Sequence, residues 1–399
     1  MESGYEIITE EEVQEIIQAL KSAFEDASLY EAAERLSESL KETENAPLNI
    51  AITGESGTGK STFVNAICGM EDEEEGCAKT GVVETTKEPM SYPHPQYPNV
   101  TVWDLPGIGT PNFVADNYLQ SVELNRYDFF IIISSERFKQ NDILLATAIQ
   151  AMDKKFYFVR SKIDSELYAC KKLRKKTYNK ESILNEIRVN CIESLRVKGI
   201  TEPQVFLLSC LDLDKYDFLK MQETLKMDLP KHKRHIFLIS LPNISLPVIE
   251  KKQEALRKDI WKFATLSCAV ATVQIPELSL ICDVEILVKA MKGYQNAFGL
   301  NNQSLETLAN KFGKEVSELR SVIKSPVDVK EIIKERATIF LTGGDVGALK
   351  IAEYIASTIP VLGTIPAWHI SFSTIYRMLS DFLNETTEDA YRVLRKALE

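Results

Sequence analysis

Eight residues constrain this chain more than any others. Gly54-Glu55-Ser56-Gly57-Thr58-Gly59-Lys60-Ser61 fits G-x-x-x-x-G-K-[ST], directly after the apolar run LNIAIT (48–53) and directly before a helical run over 61–68. Strand, glycine-rich turn and helix in that order let successive backbone N–H groups face phosphate oxygens, with the positive end of the helix dipole behind them. Gly54, Gly57 and Gly59 permit the turn, and Glu55, Ser56 and Thr58 lend their backbone to the cradle. Lys60 is expected to reach the β- and γ-phosphates and Ser61 to ligate Mg²⁺, with Thr62 beside it in the first helical turn.

The surrounding pattern extends this into a fold. VTVWD (100–104), FFIIIS (129–134), FYFVRS (156–161) and VFLLS (205–209) are near-continuous apolar runs separated by helix-length segments. Strands of that kind belong to a mostly parallel sheet with helices on both faces, an α/β domain expected over 47–230. Before it, Val13, Ile16, Ile17, Leu20 and Phe24 mark one face of an amphipathic helix within 10–42, which Pro47 ends. After Pro230 and the basic run 231–234, helical spacing dominates: 248–272, 278–297, 304–322 and 329–341, punctuated by Pro276 and Pro326. The first helix cannot bury its apolar face alone, so 1–46 is expected to pack with 231–399. An all-α domain made from both chain ends would then carry the α/β domain as an insertion.

Further motifs choose the base and the metal ligands. Asp104-Leu105-Pro106-Gly107 closes the VTVWD strand 44 residues after Lys60. A carboxylate there can hold Mg²⁺ through water while the Gly107 N–H senses the γ-phosphate. Ser161-Lys162-Ile163-Asp164 follows the FYFVRS strand. The Asp164 carboxylate can accept from both N1–H and N2–H₂ of guanine, a pair adenine does not offer, and the Lys162 stem can cover the base. Ser161 stands where Asn or Thr is usual. Ser209-Cys210 ends the fifth run, where a backbone N–H meets the guanine carbonyl. Together the four motifs select GTP over ATP. In the loop 77–86, Thr80, Thr85 and Thr86 each lie at a distance that suits the last Mg²⁺ ligand. Ile108 occupies the position where Ras-type proteins place a water-orienting glutamine, so intrinsic hydrolysis is expected to be slow without help from outside the site, a second copy being the most economical donor. Glu84 is a candidate for that contact.

Composition narrows the class. Hydrophobic residues are 44% and charged residues 26% of 399, a globular profile that excludes disordered and fibrous chains. The net charge of −11 argues against a nucleic-acid partner. Seven cysteines without a C-x-x-C pair and four scattered histidines predict a reducing compartment, no disulfide framework and no structural zinc. Residues 1–4 carry no signal-peptide character, position 2 is Glu2 rather than the glycine that N-myristoylation needs, and 396–399 is no prenylation box. The uncharged stretch 354–376 is interrupted by Pro360, Gly363 and Pro366, which argues against a transmembrane helix and for two helices joined by an apolar turn over 359–368. That turn reads first as a buried hairpin and second as a lipid contact through Trp368. Residues 390–398 form a short basic amphipathic helix suited to packing or anionic lipid, and the basic cluster 171–176 reads as a solvated loop before a binding patch.

GESGTGKS, TGVVETT, DLPGIGTPNF, YDFFIIIS, RSKID, FLLS and SLPNISLPVIEKK together resemble the interferon-inducible immunity-related GTPases over nearly the whole chain. Lys60-Ser61 suits their effector branch. The resemblance implies a Ras-like P-loop G domain inserted into a helical domain, and Mg²⁺ with GTP or GDP as cofactors. It implies GTP-dependent self-association through the G domains, cooperative hydrolysis, and related immunity GTPases as partners. It further implies a cytoplasmic protein peripherally bound to intracellular membranes and to phospholipids of pathogen-containing vacuoles. The family's metal threonine falls on Thr80, with Gly81 next to it in the nucleotide loop, and its interface glutamate on Glu84. The implied catalytic set is Lys60, Thr80, Glu84 and Asp104. The alternative is a regulatory GTP-dependent switch that recruits effectors, with slow hydrolysis as its timer.

Overall fold

The computed structural model describes residues 29–81, 86, 88–107, 122–200, 202–271, 276–325 and 366–399. The apolar run before the glycine-rich turn forms β1 (Leu48–Gly54). It is followed by β2 (Met90–Pro93), β3 (Val100–Asp104), β4 (Phe129–Ser134), β5 (Lys155–Arg160) and β6 (Val205–Leu207). These make one six-stranded sheet in the order β2-β3-β1-β4-β5-β6. All neighbours run parallel except β2, which lies antiparallel on β3 at the edge. Every residue of β4 is buried, as a central strand covered on both faces must be.

Strand β2 has no forerunner in the sequence reading. It is four residues long with a single buried position, Tyr92, and it ends in Pro93. An edge strand tolerates that proline because one row of its backbone groups faces away from the ladder. Such a strand leaves no apolar run to read.

The helices of this unit are α2 (Lys60–Cys68), α3 (Gln140–Ala151), α4 (Ile163–Leu173), α5 (Lys180–Val197), α6 (Phe218–Asp228) and α7 (Lys231–Ser240), after α1 (Leu29–Asn45) at the start of the described chain. One core cluster joins Phe130 and Ile132 of β4, Phe158 of β5, Ile149 of α3, Ile163 of α4 and Leu195 of α5, each fully buried. Removing water from side chains of that size stabilises by about 1.5–3 kcal/mol apiece. Phe158→Ala would therefore cost about 3–5 kcal/mol.

The chain divides into two compact units: Asn45–Val248, and Ile249–Glu399 together with residues up to Glu44. The second contains α8 (Leu246–Arg257, which starts at the boundary), α9 (Ile260–Ala271), α10 (Pro276–Ala297), α11 (Asn302–Phe312), α12 (Val316–Ser321) and α13 (Pro366–Leu398). The run 248–272 is two helices rather than one, because the chain turns at Asp259, whose N–H bonds Leu256 O and whose carbonyl starts α9 by accepting from Phe263. The run 304–322 is likewise split, at Gly313. The terminal helix is far longer than 390–398. It starts at Pro366, where a missing N–H costs no hydrogen bond. Residues 366–368 of the expected apolar turn are thus helical, and 359–365, like 329–341, lie outside the described residues. Buried Phe372, Ile375, Tyr376, Leu379, Phe382, Leu383, Ala390, Val393, Leu394 and Ala397 form one apolar stripe along α13, which packs on α9 and α10 and, through Val393 and Ala397, on Leu305 and Ala309 of α11 and Leu319 of α12.

Candidate nucleotide site

Strand β1 delivers the chain to the glycine-rich turn at Gly54. Its φ is 141°, and a Cβ there would lie 2.0 Å from the Ile133 carbonyl oxygen of the neighbouring strand, so no side chain fits. Lys60, the first residue of α2, is only 7% exposed. Its Nζ donates to Gly54 O at 3.1 Å and Glu55 O at 3.0 Å. Lys162 Nζ donates to Gly57 O at 2.8 Å, Ser161 Oγ to Thr58 O at 2.7 Å, and Cys210 Sγ lies 3.9 Å from Gly59 O. In a trans peptide the C=O and the following N–H point in opposite directions. Each of these five carbonyls therefore points opposite to the N–H that follows it, those of Glu55, Ser56, Thr58, Gly59 and Lys60. The residues expected to read guanine thereby also shape the phosphate cradle.

Asp104, at the end of β3, has no solvent exposure. Its Oδ2 accepts from Ser61 Oγ at 2.6 Å and from Thr86 Oγ1 at 3.0 Å. Its Oδ1 is buried without a hydrogen-bond partner. Burial pushes this carboxyl above its ordinary value, opposed by the Ser61 hydrogen bond, the Lys60 charge and the Thr86 hydrogen bond. A buried carboxylate oxygen without a partner, flanked by two hydroxyls, is an oxygen-only donor set that fits Mg²⁺. Among the described residues no group of three or more His, Cys, Asp or Glu gathers to hold a metal. An ion here would draw its remaining ligands from phosphate and water.

A cavity of about 160 Å³ lies over this arrangement. Ser56, Gly57, Gly59, Lys60, Ser61 and Thr62 line it from the turn and α2, and Thr80, Gly81, Thr86, Gly107 and Lys162 line the rest. Of the two candidate threonines among the described residues, Thr86 is the one beside Asp104. The Thr80 hydroxyl donates instead to Asp72 Oδ2 at 2.8 Å. Glu84, Thr85 and Ile108 lie outside the described residues. Asp164 is half-buried in the first turn of α4, and Ser209 is fully buried with its Oγ accepting from Asp212 N at 3.3 Å. Neither is part of the cavity wall.

Motif reading missed two features that position these parts. Glu55 forms an ion pair with Lys139, so its side chain is engaged there. Three residues on, Asp142 is fully buried; its Oδ2 caps α3 by accepting from Lys139 N at 2.9 Å, and its Oδ1 has no partner. Burial, the largest cause, raises its pKa to about 6. On the base side, Arg188 holds Asp217 through both guanidinium nitrogens at 2.6 and 3.0 Å. Asp217 in turn accepts from Leu207 N at 2.8 Å and donates its own N–H to Leu207 O at 3.1 Å. That ring closes the loop 208–216 carrying Ser209 and Cys210. Apart from the local Asp142–Lys139 cap, these partners are 10 to 84 residues apart, so no local spacing announces them.

The family model described as Interferon-inducible GTPase (IIGP) matches residues 13–397. Similar proteins include Interferon-inducible GTPase 5 of Rattus norvegicus, 44% identical over 385 residues, covering 96% of this chain and 83% of the relative. The same-named protein of Bos taurus is 43% identical, covering 100% and 85%. Interferon-gamma-inducible GTPase 10 of Mus musculus is 41% identical, covering 96% and 89%.

Proposed function

This chain belongs to the interferon-inducible GTPase family, and from that premise we propose that it hydrolyses GTP at the Lys60–Asp104 site, activated by a second copy of itself, on membranes of pathogen-containing vacuoles. One observation carries the site assignment: the buried Asp104 Oδ1 without a partner, next to Ser61 and beside a turn whose Gly54, Glu55, Gly57 and Thr58 carbonyls accept side-chain hydrogen bonds. Mg²⁺ held by Ser61, Asp104 and a loop threonine would supply positive charge to the phosphates. Lys60 and the inward N–H groups bind the β- and γ-phosphate oxygens, and the charge that grows on them during transfer is what those donors stabilise. Lys162 and Asp164 orient the base. Ile108 cannot orient water, so the missing contribution comes from the partner G domain, with Glu84 as the contact residue. The helical domain from both chain ends serves assembly and membrane contact. Among the described residues no helix is long and apolar enough to cross a membrane, so the contact proposed is peripheral.

The test is GTP turnover per molecule over a hundredfold range of protein concentration, for the wild type and Glu84→Ala. Specific activity that climbs for the wild type and stays flat for the variant is the expected result. Low, constant activity in both would replace this reading with a timer switch that depends on a separate activator.

A further inference from the structure

The loop between α2 and the cavity is pinned at a defined place. Asn65, one turn before the end of α2, is 3% exposed and directs its side chain off the helix. Its Nδ2 donates to Asp72 Oδ1 at 2.8 Å and to Ala78 O at 2.9 Å, and its Oδ1 accepts from Ala78 N at 2.6 Å. Ala78 is fully buried. Asp72 is therefore fixed relative to the helix that carries Lys60 and Ser61. Its second oxygen accepts the Thr80 hydroxyl at 2.8 Å. The place beside Asp104 Oδ2 is taken by the Thr86 hydroxyl, which is buried, whereas Thr80 is exposed.

We propose that Asp72 is a positioning residue that sets how strongly the site prefers the triphosphate over the diphosphate, by holding the Thr80 hydroxyl away from the γ-phosphate side of the cavity. The inference rests on the guanine-nucleotide reading above. The physical basis is competition for one hydroxyl. A threonine that responds to the γ-phosphate must leave its carboxylate acceptor, and a ligand shifts such an equilibrium only by the difference in its affinity for the two arrangements. GDP lacks the γ-phosphate to which Thr80 would respond, so its affinity is expected to be independent of the Asp72 bond. A GTP analogue binds against that bond.

The experiment compares equilibrium affinities for a fluorescent GDP and a fluorescent non-hydrolysable GTP analogue, in magnesium buffer, for the full chain and for Asp72→Asn. Asparagine can keep the bond from Asn65 through its carbonyl while presenting an amide that cannot accept from Thr80. The expected result is about a fivefold rise in the preference for the triphosphate, the scale of one hydrogen bond, with GDP affinity within twofold of wild type. In a Thr80→Val background the Asp72→Asn effect should vanish. A fall in triphosphate preference would overturn the proposal, because Asp72 would then be orienting Thr80 toward the ligand. Equal loss for both nucleotides would also overturn it, leaving Asp72 as an anchor of the loop alone. A wild-type chain that binds neither nucleotide would sink the guanine-nucleotide reading itself, an outcome distinct from either.

Discussion

Two aspartates, one in each unit, have the same exposure and opposite chemistry. Asp104 in the α/β unit and Asp389 in the helical unit both show no solvent exposure. Asp389 Oδ1 accepts from Lys324 N at 2.8 Å and from Arg392, and its Oδ2 accepts from Ser325 N at 2.8 Å. Burial alone would raise its pKa, but these hydrogen bonds from Ser325, Lys324 and Arg392 outweigh it and hold the carboxyl below its ordinary value. Asp104 has hydroxyl donors on one oxygen, none on the other, and a raised pKa. The hydrogen bonds of Asp389 are complete and hold architecture together, whereas Asp104 keeps one oxygen open beside the Ser61 and Thr86 hydroxyls, a set of oxygens that fits a metal ion. Burial by itself distinguishes neither.

The largest effect that could break this contrast is on turnover. Asp104→Ala should lower GTP hydrolysis by about 1,000-fold, some 4 kcal/mol of transition-state stabilisation, while unfolding midpoints in urea stay at or above wild type. A variant that unfolds readily would make Asp104 an architectural residue like its counterpart. Asp389→Ala should do the reverse, costing about 3 kcal/mol of stability because two backbone N–H groups and Arg392 lose their acceptor. Its turnover per folded molecule should be retained, and a stability change under about 1 kcal/mol in urea unfolding would remove the contrast.

Asp142 sharpens the comparison with a smaller effect. Its carboxyl titrates at about 6 in the folded chain against 3.8 as the ordinary value. The folded state thus holds this proton more tightly across that window, so the contribution of Asp142 to stability is greatest below about pH 4 and declines as pH rises through 6. Asp142→Asn should flatten this decline and gain about 1–2 kcal/mol at pH 7.5, with little change at pH 4. Denaturation curves of both proteins at the two pH values check it. An unchanged slope would mean that Asp142 is satisfied in solution.

Much of the candidate site was legible because its motifs are local. Gly54 through Ser61 needs its glycines and lysine at fixed spacing, and Asp104 and Ser161–Asp164 sit at the ends of strands whose apolar runs are unmistakable. The helical unit was legible in kind but not in division. A 3.6-residue stripe continues across Asp259 and Gly313, and it does not tell where one helix stops and the next starts. The loop threonines were left open by spacing, since Thr80, Thr85 and Thr86 all suit the distance.

What the sequence determined by itself was the class of ligand, the five apolar strands in order followed by a helical region, and the family. Each of these follows from short-range rules: backbone freedom at glycine, apolar periodicity, and side-chain type at a strand end. Only the tertiary structure decided that Ser161, Lys162 and Cys210 reach across to the phosphate turn, that Thr86 stands beside Asp104 while Thr80 donates to Asp72, and that Asp217 ties the base loop to Arg188. Those contacts join residues that only the folded chain brings within about 3 to 4 Å, and hydrogen-bond energy depends on that distance and angle rather than on position in the chain.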